Sequence, residues 1–276
     1  MQKKSKKYNG TTYAERKKLS IQFSLDGFSF CVKNADTKQI LSYTDYSFKK
    51  TITSPELLLE KVMYIFANDT DLQQDFSNVF AVHQNNLATV VPLAYFNRNK
   101  LKAYLQFTVK TLATDFLTYD SLKSINAYNV YIPYVNINNF IFQNFGEFKY
   151  KHHSSILIEK LKTHTNSFDK MPIIYAYVST SQLDIIVFKQ QILYLYNSFL
   201  YQTKEDFIYY ILFVAEQLQL NPEELSLVFL GKIEKNFDLY NITYKYIRDV
   251  KFIKSYTSFF EEKDTLSNHS SYILLS

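Results

Sequence analysis

One order of elements occurs twice in this chain, and that recurrence limits its fold more than any other feature. Residues 19–24 read as a short apolar strand, Asp26-Gly27 as a turn, 28–33 as a returning strand with alternating apolar and polar residues, and 40–48 as a third. Ser54-Pro55-Glu56 then gives a capping hydroxyl, a proline at the first helical position and an early acid. Leu57, Leu58, Val62, Ile65 and Phe66 follow at helical spacing, and 79–83 is a further strand. The order is βββαβ.

It returns after a long middle section. Residues 173–178, 183–188 and 192–200 read as three strands, with 179–182 as the first turn. Thr203 caps a helix with Asp206 three residues on, and Phe207, Tyr210, Ile211, Val214 and Leu218 form its apolar face. Residues 225–230 read as the last strand. First strands are offset by 154 residues and helix caps by 149, which marks a duplication rather than a longer repeat array. The expected class is α/β with two lobes.

Composition permits this. Of 276 residues, 47% are apolar and 21% charged, enough for a full core. The net charge of +5 is unevenly placed: residues 1–18 hold Lys3, Lys4, Lys6, Lys7, Arg16, Lys17 and Lys18 against Glu15, which leaves the remainder at −1. The reading is a basic flexible tail over 1–18, whose one sharper use would be weak contact with nucleic acid or an anionic membrane. Cys31 is the only cysteine, so no internal disulfide and no multi-cysteine zinc site can form. The apolar run 207–215 is too short to span a bilayer, and no apolar segment suited to a signal peptide follows the first lysines. These features lead to the expectation of a cytoplasmic protein.

The middle section carries an amphipathic helix with Leu101, Tyr104 and Leu105, a hairpin of 116–119 and 128–132, and a helix over 136–145 stopped at Gly146. A strand over 147–151 and a helix over 154–162, capped by Ser154, come next. After Ile253 the chain turns polar, with 261–271 expected as loop or frayed helix. The implied division is a first lobe over 19–145 with the inserted hairpin, a second over 146–255 and a tail over 256–276.

A βββαβ unit used twice resembles the ground plan of the actin, sugar kinase and heat-shock chaperone superfamily and of its ribonuclease H-like relatives. The segments Leu19-Ser20-Ile21-Gln22-Phe23-Ser24-Leu25-Asp26-Gly27-Phe28-Ser29-Phe30 and Phe145-Gly146-Glu147-Phe148-Lys149-Tyr150-Lys151-His152 resemble an uncharacterised bacterial domain-of-unknown-function family assigned an actin-like ATPase fold. The resemblance runs from about Leu19 to Ile253 and implies a fold rather than an activity.

Active members of that superfamily hold ATP between lobes on two Asp-x-Gly hairpin turns and a Gly-Gly turn after the last strand. Glycines let backbone N–H groups approach phosphate, and the acid organises hydrated Mg²⁺. Here the first turn keeps Asp26 and Gly27 in altered spacing, with bulky Phe28 where a small residue is wanted. The second, Ser179-Thr180-Ser181, has hydroxyls but no glycine, and Asp184 falls inside the following strand. The third keeps Gly231 and adds Lys232. The resemblance therefore implies a pseudo-ATPase, with Asp26, Gly27, Ser179, Thr180, Ser181, Gly231 and Lys232 as cofactor-binding residues only if a nucleotide is bound.

Each candidate has a plainer role. Asp26-Gly27 is a favoured hairpin dipeptide and Gly231 suits a left-handed exit from a strand. His152-His153-Ser154-Ser155 is the densest polar cluster, but adjacent residues of a strand face opposite ways and would not share a metal without a bend. Residues 79–83 carry no carboxylate, which argues against two-metal nuclease chemistry. Cys31 reads as a core residue and His83 as a loop-edge one. The expectation is a non-catalytic cytoplasmic adaptor, with no cofactor, that binds another protein. The alternative is a divergent Mg-ATP-binding ATPase or kinase, and a more distant option is a nucleic-acid-binding module using the tail.

Overall fold

The computed structural model describes residues 1–8, 16–166, 168, 171–254, 259–261, 264 and 266–275. Parts of both predicted tails, 9–15 and 256–258, 262–263, 265 and 276, lie outside the described residues.

The first half runs β1 (Gln2–Lys7), β2 (Lys17–Ser24), β3 (Gly27–Asn34), β4 (Ile40–Ser47), α1 (Pro55–Asn68) and β5 (Asn78–His83). An insertion of β6 (Ala88–Pro92), α2 (Leu101–Leu105), β7 (Thr118–Leu122) and β8 (Ala127–Tyr131) precedes α3 (Val135–Phe145), β9 (Lys149–His152) and α4 (His153–Lys162). The second half is β10 (Ile173–Val178), β11 (Gln182–Lys189), β12 (Ile192–Leu200), α5 (Lys204–Gln217), β13 (Ser226–Gly231), α6 (Asp238–Tyr246), β14 (Asp249–Phe252) and α7 (Tyr272–Leu275).

The two halves share one topology. The first sheet has the order β1-β4-β3-β2-β5-β9 and the second β12-β11-β10-β13-β14. With the added edge strand β1 set aside, three antiparallel strands in each are joined by two parallel ones, β5 and β9 or β13 and β14. The repeated unit thus has five strands, not four: 225–230 is followed by β14, and β9 puts 149–152 in the first sheet, past the boundary expected at 145. Both fifth strands have only four residues, too few for an alternation to stand out.

Local chemistry explains the legible elements. The Ser54 hydroxyl accepts from Leu57 N–H with Pro55 at the first turn, and α1 buries Leu58, Val62, Ile65 and Phe66. On α5, Thr203 and Asp206 close a reciprocal box: Asp206 N–H donates to Thr203 Oγ1 and Thr203 N–H to Asp206 Oδ2, each at 3.0 Å. Gly146 ends α3 at φ +72°.

Three layers of core follow from strand alternation. Leu19, Ile21, Phe23, Phe28, Phe30 and Val32 face α1 and α3. Ile174, Ala176, Leu183, Ile185, Leu227 and Phe229 face α5 and the α6 side. Between the sheets, Cys31, Tyr43, Tyr175, Tyr177 and Leu230 pack on Leu157 and Leu161 of α4 and on Tyr272, Ile273 and Leu274 of α7. Residues 272–275 are therefore a buried helix, where the sequence suggested a tail. Cys31 sits in this middle layer, and burial pushes its thiol up to about 12, which leaves it inert.

The basic segment is likewise not a free tail over its first residues. Gln2–Lys7 pairs antiparallel with β4, from Gln2 opposite Ser47 to Lys7 opposite Ser42. Lys3 pairs with Asp69 at 2.9 Å, Lys6 with Asp264 at 2.6 Å and Lys7 with Asp71 at 2.8 Å. Lys17 and Lys18 belong to β2. A lysine-rich strand has no apolar alternation to announce it; the open edge of β4 gives it a partner.

Candidate functional site

The seven candidate residues, from three turns far apart in sequence, meet at one end of the interface between lobes. Each sheet delivers its first hairpin there, and the turn after β13 joins them. Asp26, Gly27, Ser179, Thr180 and Lys232 line a shared cavity with Gln22, Ser29, Tyr43, Asp45, Gln84 and Tyr177. Its volume is about 30 Å³. That is room for about one water, against several hundred Å³ for an ordinary small-molecule site.

Cross-lobe hydrogen bonds fill the rest. Ser181 N–H donates to Asp26 Oδ2 at 3.2 Å, and the Ser181 hydroxyl lies 3.0 Å and 3.2 Å from the two carboxylate oxygens. Thr51 donates to Asp26 Oδ1 at 2.7 Å. Beside them, Gln22 donates to Gln84 Oε1 at 2.5 Å, and Gln84 donates across the interface to Ser179 Oγ at 2.5 Å. The second hairpin thus offers a backbone N–H and a hydroxyl to an anion, and the anion is the Asp26 carboxylate of the first.

The third turn is occupied in the same way. Gly231 adopts φ +91°, and a Cβ there would lie 2.2 Å from Val178 O. Gly231 N–H donates to His269 O at 2.9 Å and Lys232 N–H to Val178 O at 2.6 Å. The Lys232 ammonium reaches Ser47 Oγ at 3.1 Å and Asp45 at 3.5 Å, while Asp45 also accepts from Ser29 and Ser47. Gly27 is explained by backbone packing as well, since a Cβ would meet Tyr46 O at 2.6 Å. Burial pushes the Tyr43 and Tyr177 phenols well up, so both stay neutral at the cavity wall.

Phe28 does not obstruct the cleft. Its ring points away, into the first core, 5.9 Å from Phe66 and 6.2 Å from Phe30. Gly27, Ser29 and Cys31 are the β3 residues on the interlobe side. The polar partners Gln22, Asp45 and Gln84 were missed from sequence; Gln22 and Asp45 lie on strands with no motif around them, and only the strand period of two places them on this face.

A second polar cluster lies deeper. The strand-to-helix bend between β9 and α4 brings the His152 and His153 rings to 4.4 Å, where an unbroken strand would have parted them. His152, not Ser154, caps α4: its Nδ1 accepts from Ser154 N–H, and its Nε2 is 3.1 Å from Asn85 Oδ1. His153 Nε2 lies 2.8 Å from Asp184 Oδ2 inside β11. Asp120 accepts from His152 N–H and the Ser155 hydroxyl. All four residues of the His152–Ser155 run are buried, so this network ties the insertion to both lobes and has no face for a substrate. His83 is buried too, not a loop-edge residue. Tyr134 N–H donates to its Nδ1, so Nε2 carries the proton facing Asn138 Oδ1. Among the described residues no group of three His, Cys, Asp or Glu side chains is arranged to hold a metal.

Two duplicated five-stranded units, packed through α4 and α7 with their first hairpins converging, define the actin-like ATPase fold. The chain is similar to a crystal structure from Bacteroides thetaiotaomicron VPI-5482, a protein with actin-like ATPase fold and unknown function, at TM-score 0.77 and 24% identity over 87% of this chain and 91% of that one. It is also similar to a chain of the PilM–PilN type IV pilus biogenesis complex, at TM-score 0.61 and 8% identity over 93% and 96%. The chain belongs to the protein family of unknown function DUF3822, whose model matches residues 6–250. No curated protein matches it significantly. No helix among the described residues is long and apolar enough to cross a membrane.

Proposed function

We propose that this chain is a non-catalytic actin-like scaffold, a cytoplasmic adaptor that works by binding another protein. The observation that carries this reading is the hydrogen bonding of Asp26 to Ser181 across the lobes. The groups that would meet a phosphate and its Mg²⁺ are engaged with each other, and the cavity of about 30 Å³ between them is far smaller than an ordinary ligand pocket, which supports this reading. The fold shared with a chain of the PilM–PilN complex supports a role in assembly by analogy, and names no partner for this chain.

Thermal unfolding with and without millimolar Mg-ATP tests it. A ligand at one hundred times its dissociation constant stabilises the native state by about 2.7 kcal/mol, a shift of several degrees. The scaffold reading expects none.

One observation favours the alternative, a divergent Mg-ATP-binding ATPase or kinase. A cavity of about 420 Å³ adjoins the third turn, walled by Lys232, Ile233, Asn236 and Phe237. In that reading Gly231 faces adenosine, Ser179, Thr180 and Ser181 take phosphate, and Asp26 leaves Ser181 for hydrated Mg²⁺. A Mg-ATP-dependent shift that disappears in Asp26→Ala would establish it.

A further inference from the structure

The charge that the sequence concentrates at the N-terminus is largely engaged, since Lys3, Lys6 and Lys7 each meet a carboxylate. A stretch of the insertion, 93–117, combines exposed cations with a single acid. The insertion's three strands, ordered β6-β8-β7, form a small sheet with two unlike faces. Leu122 and Ala127 of one face join the middle core beside α4. The other face is covered by the segment 93–117, whose Phe96, Leu105 and Val109 pack on Val91 and Val130, with Phe96 stacked 3.9 Å from Tyr128. Most side chains of that segment that do not pack on the sheet are exposed.

Those side chains combine two properties. Arg98, Lys100, Lys102 and Lys110 are exposed, and none makes an ion pair or side-chain hydrogen bond among the described residues. The only acid in the segment, Asp115, accepts from Leu112 N–H. Between the cations stand large apolar groups with nothing over them: Phe107 is 83% exposed, Tyr95 75%, Leu112 59% and Phe116 53%. Exposed rings and a leucine interleaved with unpaired cations make an amphipathic, basic surface.

We infer that this outer layer of the insertion is a peripheral docking surface for an anionic lipid bilayer. Lysine is depleted in the cores of protein interfaces, whereas juxtamembrane cations with aromatic side chains at headgroup level are the usual composition of a lipid-facing surface. Three of the four cations here are lysines. The rings enter the acyl boundary while the cations meet lipid phosphates. This goes beyond the scaffold reading and does not depend on it.

Co-sedimentation of the full chain with vesicles tests it, using phosphatidylcholine alone and phosphatidylcholine with one-third phosphatidylglycerol. Binding is expected only to the anionic vesicles and to fall steeply as salt rises. Loss of a cation lowers the partition coefficient about fivefold, so the triple variant Lys100→Ala, Lys102→Ala and Lys110→Ala loses on the order of a hundredfold. Phe107→Ser lowers binding with the charge unchanged, and since all four positions are exposed the melting temperature stays put. Absence of binding to anionic vesicles at low salt overturns the inference. So does equal binding to both vesicle types, or binding that neither variant reduces. Retention on immobilised polyglutamate without vesicle binding would overturn it in favour of an acidic protein partner.

Discussion

Asp26 and Ser181, 155 positions apart, are joined across the two lobes by one backbone and one hydroxyl donor on a single carboxylate. In this fold each comes from the first hairpin of its unit, so the contact links the pseudo-symmetric halves at the corner where a nucleotide would otherwise keep them apart. This contact across the cleft is the observation on which the scaffold reading rests.

If closure comes from that contact and not from a bulky side chain, Phe28 is a core residue only. Phe28→Ala should lower stability by about 3–5 kcal/mol in urea unfolding. It should produce no thermal response to Mg-ATP. A variant that gained such a response would restore Phe28 as a plug.

Gly231 is required by geometry rather than by ligand approach. With φ +91° and Val178 O 2.2 Å from an added Cβ, Gly231→Ala must displace the end of β10 or of β13. The expected cost is about 3 kcal/mol or more, read as a shifted urea midpoint with an unchanged slope. Gly146→Ala is the comparison: φ is also positive, yet no atom beyond its chain neighbours lies within 4 Å, and a loss of about 1–3 kcal/mol from the backbone conformation alone is expected.

Histidine burial gives the stability a pH slope of known sign. Desolvation lowers the pKa of His83 to about 3 and that of His152 well below its ordinary 6.5. Below pH 6.5 the unfolded chain takes up protons that the folded chain refuses. The contribution is therefore complete above pH 6.5 and is lost as pH falls toward the folded values, at about 1.4 kcal/mol per pH unit for each group. Asp120, whose pKa burial raises, acts in the opposite sense. The difference between variants isolates one histidine: His83→Gln should lessen the slope between pH 6.5 and 5 by about 1.4 kcal/mol per unit. An unchanged slope would mean that His83 is protonated in the folded state.

The elements that sequence revealed are those whose own side chains decide their state. β2 and β3 alternate, β10 and β11 are apolar runs separated by a Ser-Thr-Ser turn, and α1 and α5 announce their starts through Ser54-Pro55 and Thr203 with Asp206. The elements it hid are decided by neighbours. β1 is a strand because β4 has an open edge, and α7 is a helix between two sheets. The turns that carry the candidate residues were legible because hairpin turns are local. Their joining was not, since a bond over 155 positions depends on how two finished units dock. Phe28 teaches a narrower lesson: the alternation that identified β3 already set it on the side of Phe30 and Val32, opposite Gly27 and Ser29.

The most direct measurement is a double-mutant cycle on the interlobe contact, comparing the unfolding free energies of Asp26→Ala, Ser181→Ala, the pair and the parent chain. Hydrogen bonds to a charged group are worth about 1.5–3 kcal/mol. The cycle can report only the hydroxyl share of the contact, because the Ser181 N–H survives the substitution. A coupling of about 1–2 kcal/mol is predicted. A coupling near zero would contradict the account, because it would mean that the Ser181 hydroxyl does not meet the Asp26 carboxylate across the lobes.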